Sequence, residues 1–210
     1  MIGWNDALAA NPLIAILRGL EPDRSLNVAD VLVEAGFRII EVPLNSPDAL
    51  ASIRRISEKY RGQIVIGAGT VLTPDQVASV VESGGQIIVA PNMEAAVGAK
   101  ALELGAQWCP GVLTPTEAFE ALRLGASVLK IFPAELAPPA AIKAMRAVLP
   151  KTAIVAAVGG ITPETMAPYY SVGTDSFGLG SALFKPEYSL EELSHRTRSF
   201  VHAYSQLGKS

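Results

Sequence analysis

One punctuation pattern recurs along this chain and constrains its architecture more than any other feature. A short apolar run ends, a Ser/Thr-Pro or Glu-Pro step follows, a helical stretch comes next, and a glycine stands just before the next apolar run. The starts are Glu21-Pro22-Asp23, Ser46-Pro47-Asp48, Thr73-Pro74-Asp75-Gln76, Thr114-Pro115-Thr116-Glu117 and Thr162-Pro163-Glu164. Each reads as a helix N-terminus: a hydroxyl caps an orphan amide, proline is tolerated at the first helical position, and Gln76 and Glu117 complete capping boxes. The stops are Gly36, Gly84, Gly105, Gly125 and Gly173, where a residue at ease with positive φ ends a helix and turns straight into a strand.

Between these marks lie eight runs that read as strands buried on both faces, at 13–17, 37–42, 64–67, 86–90, 107–109, 128–132, 154–158 and 175–179. Helical stretches are expected at 26–35, 49–59, 75–83, 94–104, 115–124, 139–148, 163–171 and 189–204. Strict β-α alternation requires right-handed crossovers and a parallel sheet. Eight such units without a long interruption close into an α/β fold, the (β/α)8 TIM barrel, with an open doubly wound sheet as the structural alternative. The amphipathic segment 4–10 is expected to be an N-terminal helix covering the barrel bottom, and Gly208-Lys209-Ser210 to be a frayed tail. With 210 residues, half of them apolar, the chain is expected to form one domain over 1–210.

The formal net charge of −3 is spread along the sequence, so no basic face exists to hold a nucleic-acid backbone or an anionic membrane. A small-molecule partner is expected instead. Neither a secretory signal in Met1-Ile2-Gly3-Trp4-Asn5-Asp6 nor an apolar stretch of membrane-spanning length is read, and the lone Cys109 reads as a buried core thiol. Together these point to the cytoplasm.

In a barrel of this kind chemistry sits at the C-terminal ends of the strands, where polar residues interrupt the apolar runs. Those residues are Arg18, Glu41, Asn45, Thr70, Pro91-Asn92, Lys130, Gly159-Gly160 and Gly178-Leu179-Gly180-Ser181. Lys130, inside Val128-Leu129-Lys130-Ile131-Phe132, is expected to lose part of its affinity for a proton on burial, leaving free amine to attack a ketone; a structural ion pair is the equal alternative. Glu41 poses the same question inside Ile39-Ile40-Glu41-Val42, with Lys130 as its candidate partner and either acid-base work or a salt bridge as its role. Backbone amides at Gly159-Gly160 and Gly180-Ser181, the latter opening a short helical turn, form a nest for a dianion such as phosphate. Leu183 stands where a dinucleotide fingerprint would need its third glycine, which leaves hydride chemistry unsupported. His195 and His202 lie on the last helix, far from the strand ends, so neither a metal site nor a cofactor is expected.

Leu13-Ile14-Ala15-Ile16-Leu17-Arg18-Gly19, Glu41-Val42-Pro43-Leu44-Asn45-Ser46-Pro47, Gly67-Ala68-Gly69-Thr70-Val71, Pro110-Gly111, Lys130-Ile131-Phe132-Pro133-Ala134 and Val158-Gly159-Gly160 together resemble the KDPG/KHG aldolase family, in the right order from about residue 12 to 204. The resemblance implies a class I aldolase, usually a homotrimer, that splits a phosphorylated keto-deoxy sugar acid into pyruvate and glyceraldehyde 3-phosphate. It implies Lys130 as the Schiff-base lysine and Glu41 as general acid and base. Arg18 and Thr70 would contact the substrate's charged groups, Pro91 and Phe132 would line the pyruvate pocket, and Gly159, Gly160, Gly180 and Ser181 would take the phosphate. Two departures from the phosphogluconate-cleaving members bear on specificity. Asn45 stands where those members commonly carry Arg, and Val158 where they carry Thr beside the C4 hydroxyl, which favours the phosphogalactonate epimer. A phosphosugar isomerase, a thiamine-phosphate-synthase-like barrel and a silent phospho-ligand binder are the rival readings.

Overall fold

The computed structural model describes residues 2–208, so Met1 and the Lys209-Ser210 end of the expected tail lie outside the described residues. Its strands are β1 (Leu13–Ile16), β2 (Ile39–Pro43), β3 (Val65–Gly69), β4 (Ile87–Val89), β5 (Gln107–Cys109), β6 (Gly111–Val112), β7 (Leu129–Ile131), β8 (Val155–Val158) and β9 (Ser176–Leu179). The helices are α1 (Trp4–Ala10), α2 (Ser25–Glu34), α3 (Ala49–Lys59), α4 (Pro74–Glu82), α5 (Ala95–Glu103), α6 (Pro115–Arg123), α7 (Pro139–Arg146), α8 (Met166–Tyr170) and α9 (Leu190–Gln206). Neighbouring strands pair in parallel in the order β5-β4-β3-β2-β1-β9-β8-β7-β6.

The two ends of that order are successive pieces of one strand path, divided at Pro110, which has no N–H to give to a ladder. This adds a ninth segment to the eight expected. Ser127 N, just before β7, donates to Trp108 O at 2.8 Å and Lys130 N of β7 to Pro110 O at 3.0 Å, so this stretch of chain bonds along both pieces and the ring closes into a barrel.

Side-chain parity then divides the core in two. Ile14, Ile16, Ile39, Val65, Ile87, Val89, Cys109, Val128, Ala156 and Val158 form one cluster, the barrel interior. The alternate residues, such as Leu13, Ala15, Ile40, Val42, Leu129 and Ile131, join the helices in a larger outer layer. Ala7, Trp4 and Leu8 of α1 pack on the inner cluster, so the N-terminal helix covers the barrel's N-terminal end as expected.

The helix stops behave as read: Gly36, Gly84, Gly105, Gly125 and Gly173 have φ of 101, 87, 73, 88 and 96°. The starts are mixed. Thr114 and Glu117 form a complete capping box, and Thr73 caps Gln76, whose own side chain reaches Leu72 N instead of the cap residue's N–H. Ser46 does not cap a helix. Its hydroxyl accepts from Gly19 N at 2.9 Å, binding the β2–α3 loop to the β1–α2 loop, and α3 begins after Asp48 without a side-chain cap. At Thr162 the hydrogen bonds run to Thr165 within a turn, and α8 is correspondingly shorter than expected.

Close strand contact depends on missing side chains at a few positions. A Cβ at Gly67 would come within 2.0 Å of the Ile87 carbonyl, a main-chain atom of the neighbouring strand that cannot swing aside. At Gly105 nothing lies within 4 Å, and only its φ of 73° resists substitution. Gly67→Ala should therefore cost about 3 kcal/mol or more through forced strand separation, and Gly105→Ala only ~1–2 kcal/mol through backbone strain. Urea denaturation midpoints of the two variants should separate in that order.

Candidate active site

Lys130 sits in β7 on the inward parity, between Leu129 and Ile131, which face the helices. Its in-register neighbours on β6 and β8 are Gly111 and Ala156, both small. Glu41 of β2 has the same inward parity and stands beside Ile16 and Gly67. Both side chains consequently enter the barrel interior near the C-terminal ends of their strands, where they are 7 % and 2 % exposed.

Space for the Glu41 carboxyl is made by a glycine. A Cβ at Gly69 would fall 1.8 Å from Glu41 Oε2, so the second glycine of Gly67-Ala68-Gly69 is the floor on which the carboxyl rests. Oε2 itself is buried without a hydrogen-bond partner. Burial pushes the Glu41 carboxyl up to about 7, against the opposing pull of Lys130 and Arg18. Burial also pushes the Lys130 ammonium below the usual lysine range, partly offset by Glu41 and reinforced by Arg18. The two groups therefore sense each other, yet they form no ion pair within 4.0 Å. The salt bridge that would have made both residues merely structural is absent among the described residues. Lys130 Nζ instead lies 4.5 Å from the centroid of the Phe132 ring. Cys109, on the inner wall nearby, is buried and its thiol is pushed up by burial, as befits a core residue.

Above these groups opens a cleft of about 940 Å³, lined among others by Arg18, Glu41, Thr70, Lys130, Phe132, Val158, Gly159, Gly160, Gly180 and Ser181. Ten of the twelve sequence-derived site residues are thus brought together. Gly159 and Gly160 adopt φ of 111 and 63°, turning successive amides at the end of β8, and Phe184 N closes a single turn on Gly180 O at 3.0 Å. Thr70 has φ of 57°, a conformation that costs a β-branched residue roughly 1–3 kcal/mol and that clusters at binding sites. Val158 is packed over Gly178, where a Cβ would meet its Cγ2 at 2.6 Å.

Two expected residues stand apart. Asn45 does not line the cleft; its Oδ1 accepts from Arg18 Nη1 at 3.0 Å, so it orients a lining residue. Pro91 is not a lining residue either, and its carbonyl lies where a Cβ at Gly111 would come within 2.1 Å. Its position serves close packing of the β4 and β6 ends. Conversely, Glu135, Lys185, Tyr188 and Arg196 line the cleft without having been singled out. They lie beyond the strand ends, where charged residues interrupt no apolar run; the only local signal is that Glu135 follows Lys130-Ile131-Phe132-Pro133-Ala134 and Lys185 follows Gly180-Ser181 by a turn. His195 and His202 are exposed on α9, and among the described residues no group of three or more His, Cys, Asp or Glu side chains is placed to hold a metal ion.

Comparison with known proteins points the same way as the geometry. The family model for KDPG and KHG aldolase matches residues 5–194. The chain is 46% identical over 195 residues to 2-dehydro-3-deoxy-6-phosphogalactonate aldolase of Escherichia coli strain K12, covering 93% of this chain and 95% of the relative. It is 47% identical over 193 residues to a probable 2-dehydro-3-deoxy-6-phosphogalactonate aldolase of Rhizobium meliloti strain 1021, covering 92% and 91%. A solved structure described as native KDPGal superposes with a TM-score of 0.91 at 46% identity, covering 93% of this chain and 95% of that one. With a family model spanning residues 5–194 and relatives 46% and 47% identical over more than nine tenths of its length, the chain belongs to the KDPG and KHG aldolase family.

Proposed function

We propose that this chain is a class I aldolase that cleaves 2-dehydro-3-deoxy-6-phosphogalactonate to pyruvate and glyceraldehyde 3-phosphate. The observation that carries the reading is the placement of Lys130 and Glu41 in one buried pocket mouth without a direct ion pair, beneath Gly159-Gly160 and Gly180-Ser181. Burial lowers the hold of Lys130 on its proton and so raises its share of nucleophilic free amine, and a carboxyl poised near 7 can both give and take a proton.

In the proposed reaction the Lys130 amine adds to the C2 ketone, and the resulting carbinolamine loses water as Glu41 supplies a proton to the departing hydroxyl. The Glu41 carboxylate, or a water it orients, then removes the proton of the C4 hydroxyl. The C3–C4 bond breaks, its electron pair moves into the iminium to give an enamine, and C4 leaves as the aldehyde of glyceraldehyde 3-phosphate. Protonation of the enamine at C3 and hydrolysis of the iminium release pyruvate and restore Lys130. Amides of Gly159, Gly160, Gly180 and Ser181 hold the phosphate far from the reacting carbons, which fixes register. Arg18, steadied by Asn45, and Thr70 face the substrate's carboxylate end, and Phe132 walls the pyruvate portion. Val158 presents methyls beside C4 and cannot pair with a hydroxyl there, which supports the galactonate epimer over the gluconate one. The phosphogluconate reaction is the alternative within the same family.

A single catalytic barrel, assembled as a homotrimer and working in the cytoplasm, completes the proposal. Exposed Leu102 of α5, Phe119 of α6 and the neighbouring Leu113 supply apolar surface for a subunit contact. Buried Cys109 is compatible with a reducing compartment, and no helix among the described residues is long and apolar enough to cross a membrane.

A coupled assay for pyruvate with both C4 epimers tests the reading: the galactonate epimer should be cleaved with the higher kcat/KM, and equal or reversed preference refutes the assignment of Val158. Borohydride added with pyruvate should inactivate the protein and add pyruvate's mass at Lys130; full activity with an unmodified Lys130 refutes the covalent step. Glu41→Gln should retain substrate binding and lose about 10²- to 10⁴-fold in turnover. The same variant carries a stability signature. Because Glu41 keeps its proton to about pH 7 when folded against 4.5 ordinarily, folding stability should fall as pH rises between those values, by roughly 3 kcal/mol, and Glu41→Gln should lack that slope in urea melts.

A further inference from the structure

The anion end of the cleft carries charges that the backbone nest alone does not balance. Glu135 lies against the Gly159-Gly160 turn: a Cβ at Gly159 would be 2.4 Å from its Oε2, and one at Gly160 3.0 Å from its Oε1. A carboxylate at that spot repels an incoming phosphate dianion, so a compensating cation is required nearby. Two cations line this part of the cleft, Lys185 and Arg196.

Arg196 is already engaged. Its Nε donates to Glu192 Oε1 at 2.7 Å, its Nη1 to Ala182 O at 3.2 Å, and its guanidinium lies 4.5 Å from the centroid of the Tyr188 ring. Glu192 offsets part of its charge, and the bond to the Ala182 carbonyl makes it a brace for the Gly180-Ser181-Ala182 turn. Lys185 is different. Among the described residues it has no carboxylate within 4.0 Å, and its Nζ stands 5.7 Å from the Tyr188 ring centroid.

The segment that presents Lys185 is held on several sides. Phe184 N is tied to Gly180 O, Arg24 donates to the carbonyls of Pro186 and Tyr188, and the Pro186 ring sits so close to Gly19 that a Cβ there would be 2.6 Å from Cγ. Lys185 thus leaves a fixed backbone a few residues after the amides of Gly180 and Ser181. Because that backbone is already ordered, a dianion arriving in the cleft that Lys185 lines together with Gly180 and Ser181 has only the lysine side chain left to order.

We propose that Lys185 is a phosphate-binding residue of this site, a point charge that offsets Glu135 and makes the cleft selective for substrates bearing a phosphate dianion remote from the ketone. The proposal rests on the aldolase reading. It goes beyond that reading in assigning phosphate selectivity to a side chain as well as to backbone amides.

The test is aldol addition of pyruvate to glyceraldehyde 3-phosphate and to unphosphorylated glyceraldehyde, compared in the wild-type protein, Lys185→Met, Lys185→Gln and Lys185→Arg. The ratio of kcat/KM for the phosphorylated over the unphosphorylated aldehyde should fall about 10- to 100-fold in the Met and Gln variants, chiefly through KM, and Arg should restore most of it. Added salt should erode the wild-type ratio and leave the Lys185→Met ratio nearly flat. Borohydride trapping of pyruvate on Lys130 reports whether each variant is folded. An unchanged ratio in both truncations, or a proportional loss with both aldehydes, overturns the assignment. Failure of the wild-type protein with both aldehydes would instead bring down the aldolase reading, and this assignment with it.

Discussion

The structure turns on burying an amine and a carboxyl in one barrel mouth without letting them neutralise each other. A buried lysine and a buried glutamate in direct contact would satisfy one another and do no chemistry. Here Lys130 and Glu41 enter the interior from β7 and β2, on opposite arcs of the ring, and stay beyond ion-pair distance. Each shifts toward its neutral form because burial outweighs the attraction of the other. The unpartnered Glu41 Oε2 is the signature of that arrangement, a buried oxygen to which no other group of the protein donates a hydrogen bond.

The fold supports this poise through volume as much as through charge. Gly69 vacates the space that the Glu41 carboxyl occupies, Gly111 and Ala156 flank Lys130 with minimal bulk, and Gly178 makes room for Val158. A larger residue at Gly69 or Gly178 would displace the Glu41 carboxyl or the Val158 side chain, and one at Gly111 would collide with the Pro91 main chain. The remote end is built by turns, with Gly159-Gly160 and the Gly180 turn offering amides, and with Arg24 and Arg196 bracing the loop that follows.

Much of the site was legible because strands buried on both faces tolerate almost no polar residue, so Lys130 and Glu41 stand out as interruptions. Helix stops were equally legible, since positive φ is nearly a glycine property. Ser46 misled because its Ser-Pro step looks like a cap, whereas its hydroxyl is taken by Gly19 N from a loop distant in sequence. Pro91 and Asn45 misled in a related way: strand-end position does not say whether a side chain faces the cleft or supports a residue that does. Glu135, Lys185 and Arg196 were invisible because they sit on loops and a helix where charged residues are ordinary.

Alternation of strands and helices, the inward amine and acid, and the glycine-bearing loops at Gly159-Gly160 and Gly180-Ser181 follow from local pattern, because period, propensity and backbone permission are properties of short segments. Closure of the ring through the two pieces around Pro110, the gap between Lys130 and Glu41, the cradle at Gly69 and the gathering of Glu135, Lys185 and Arg196 in one cleft with Gly159, Gly160 and Gly180 were decided only in three dimensions. Those features depend on which strands become neighbours and how much space their side chains leave, and no local pattern encodes a distance between residues 89 positions apart, as Glu41 and Lys130 are (130 − 41).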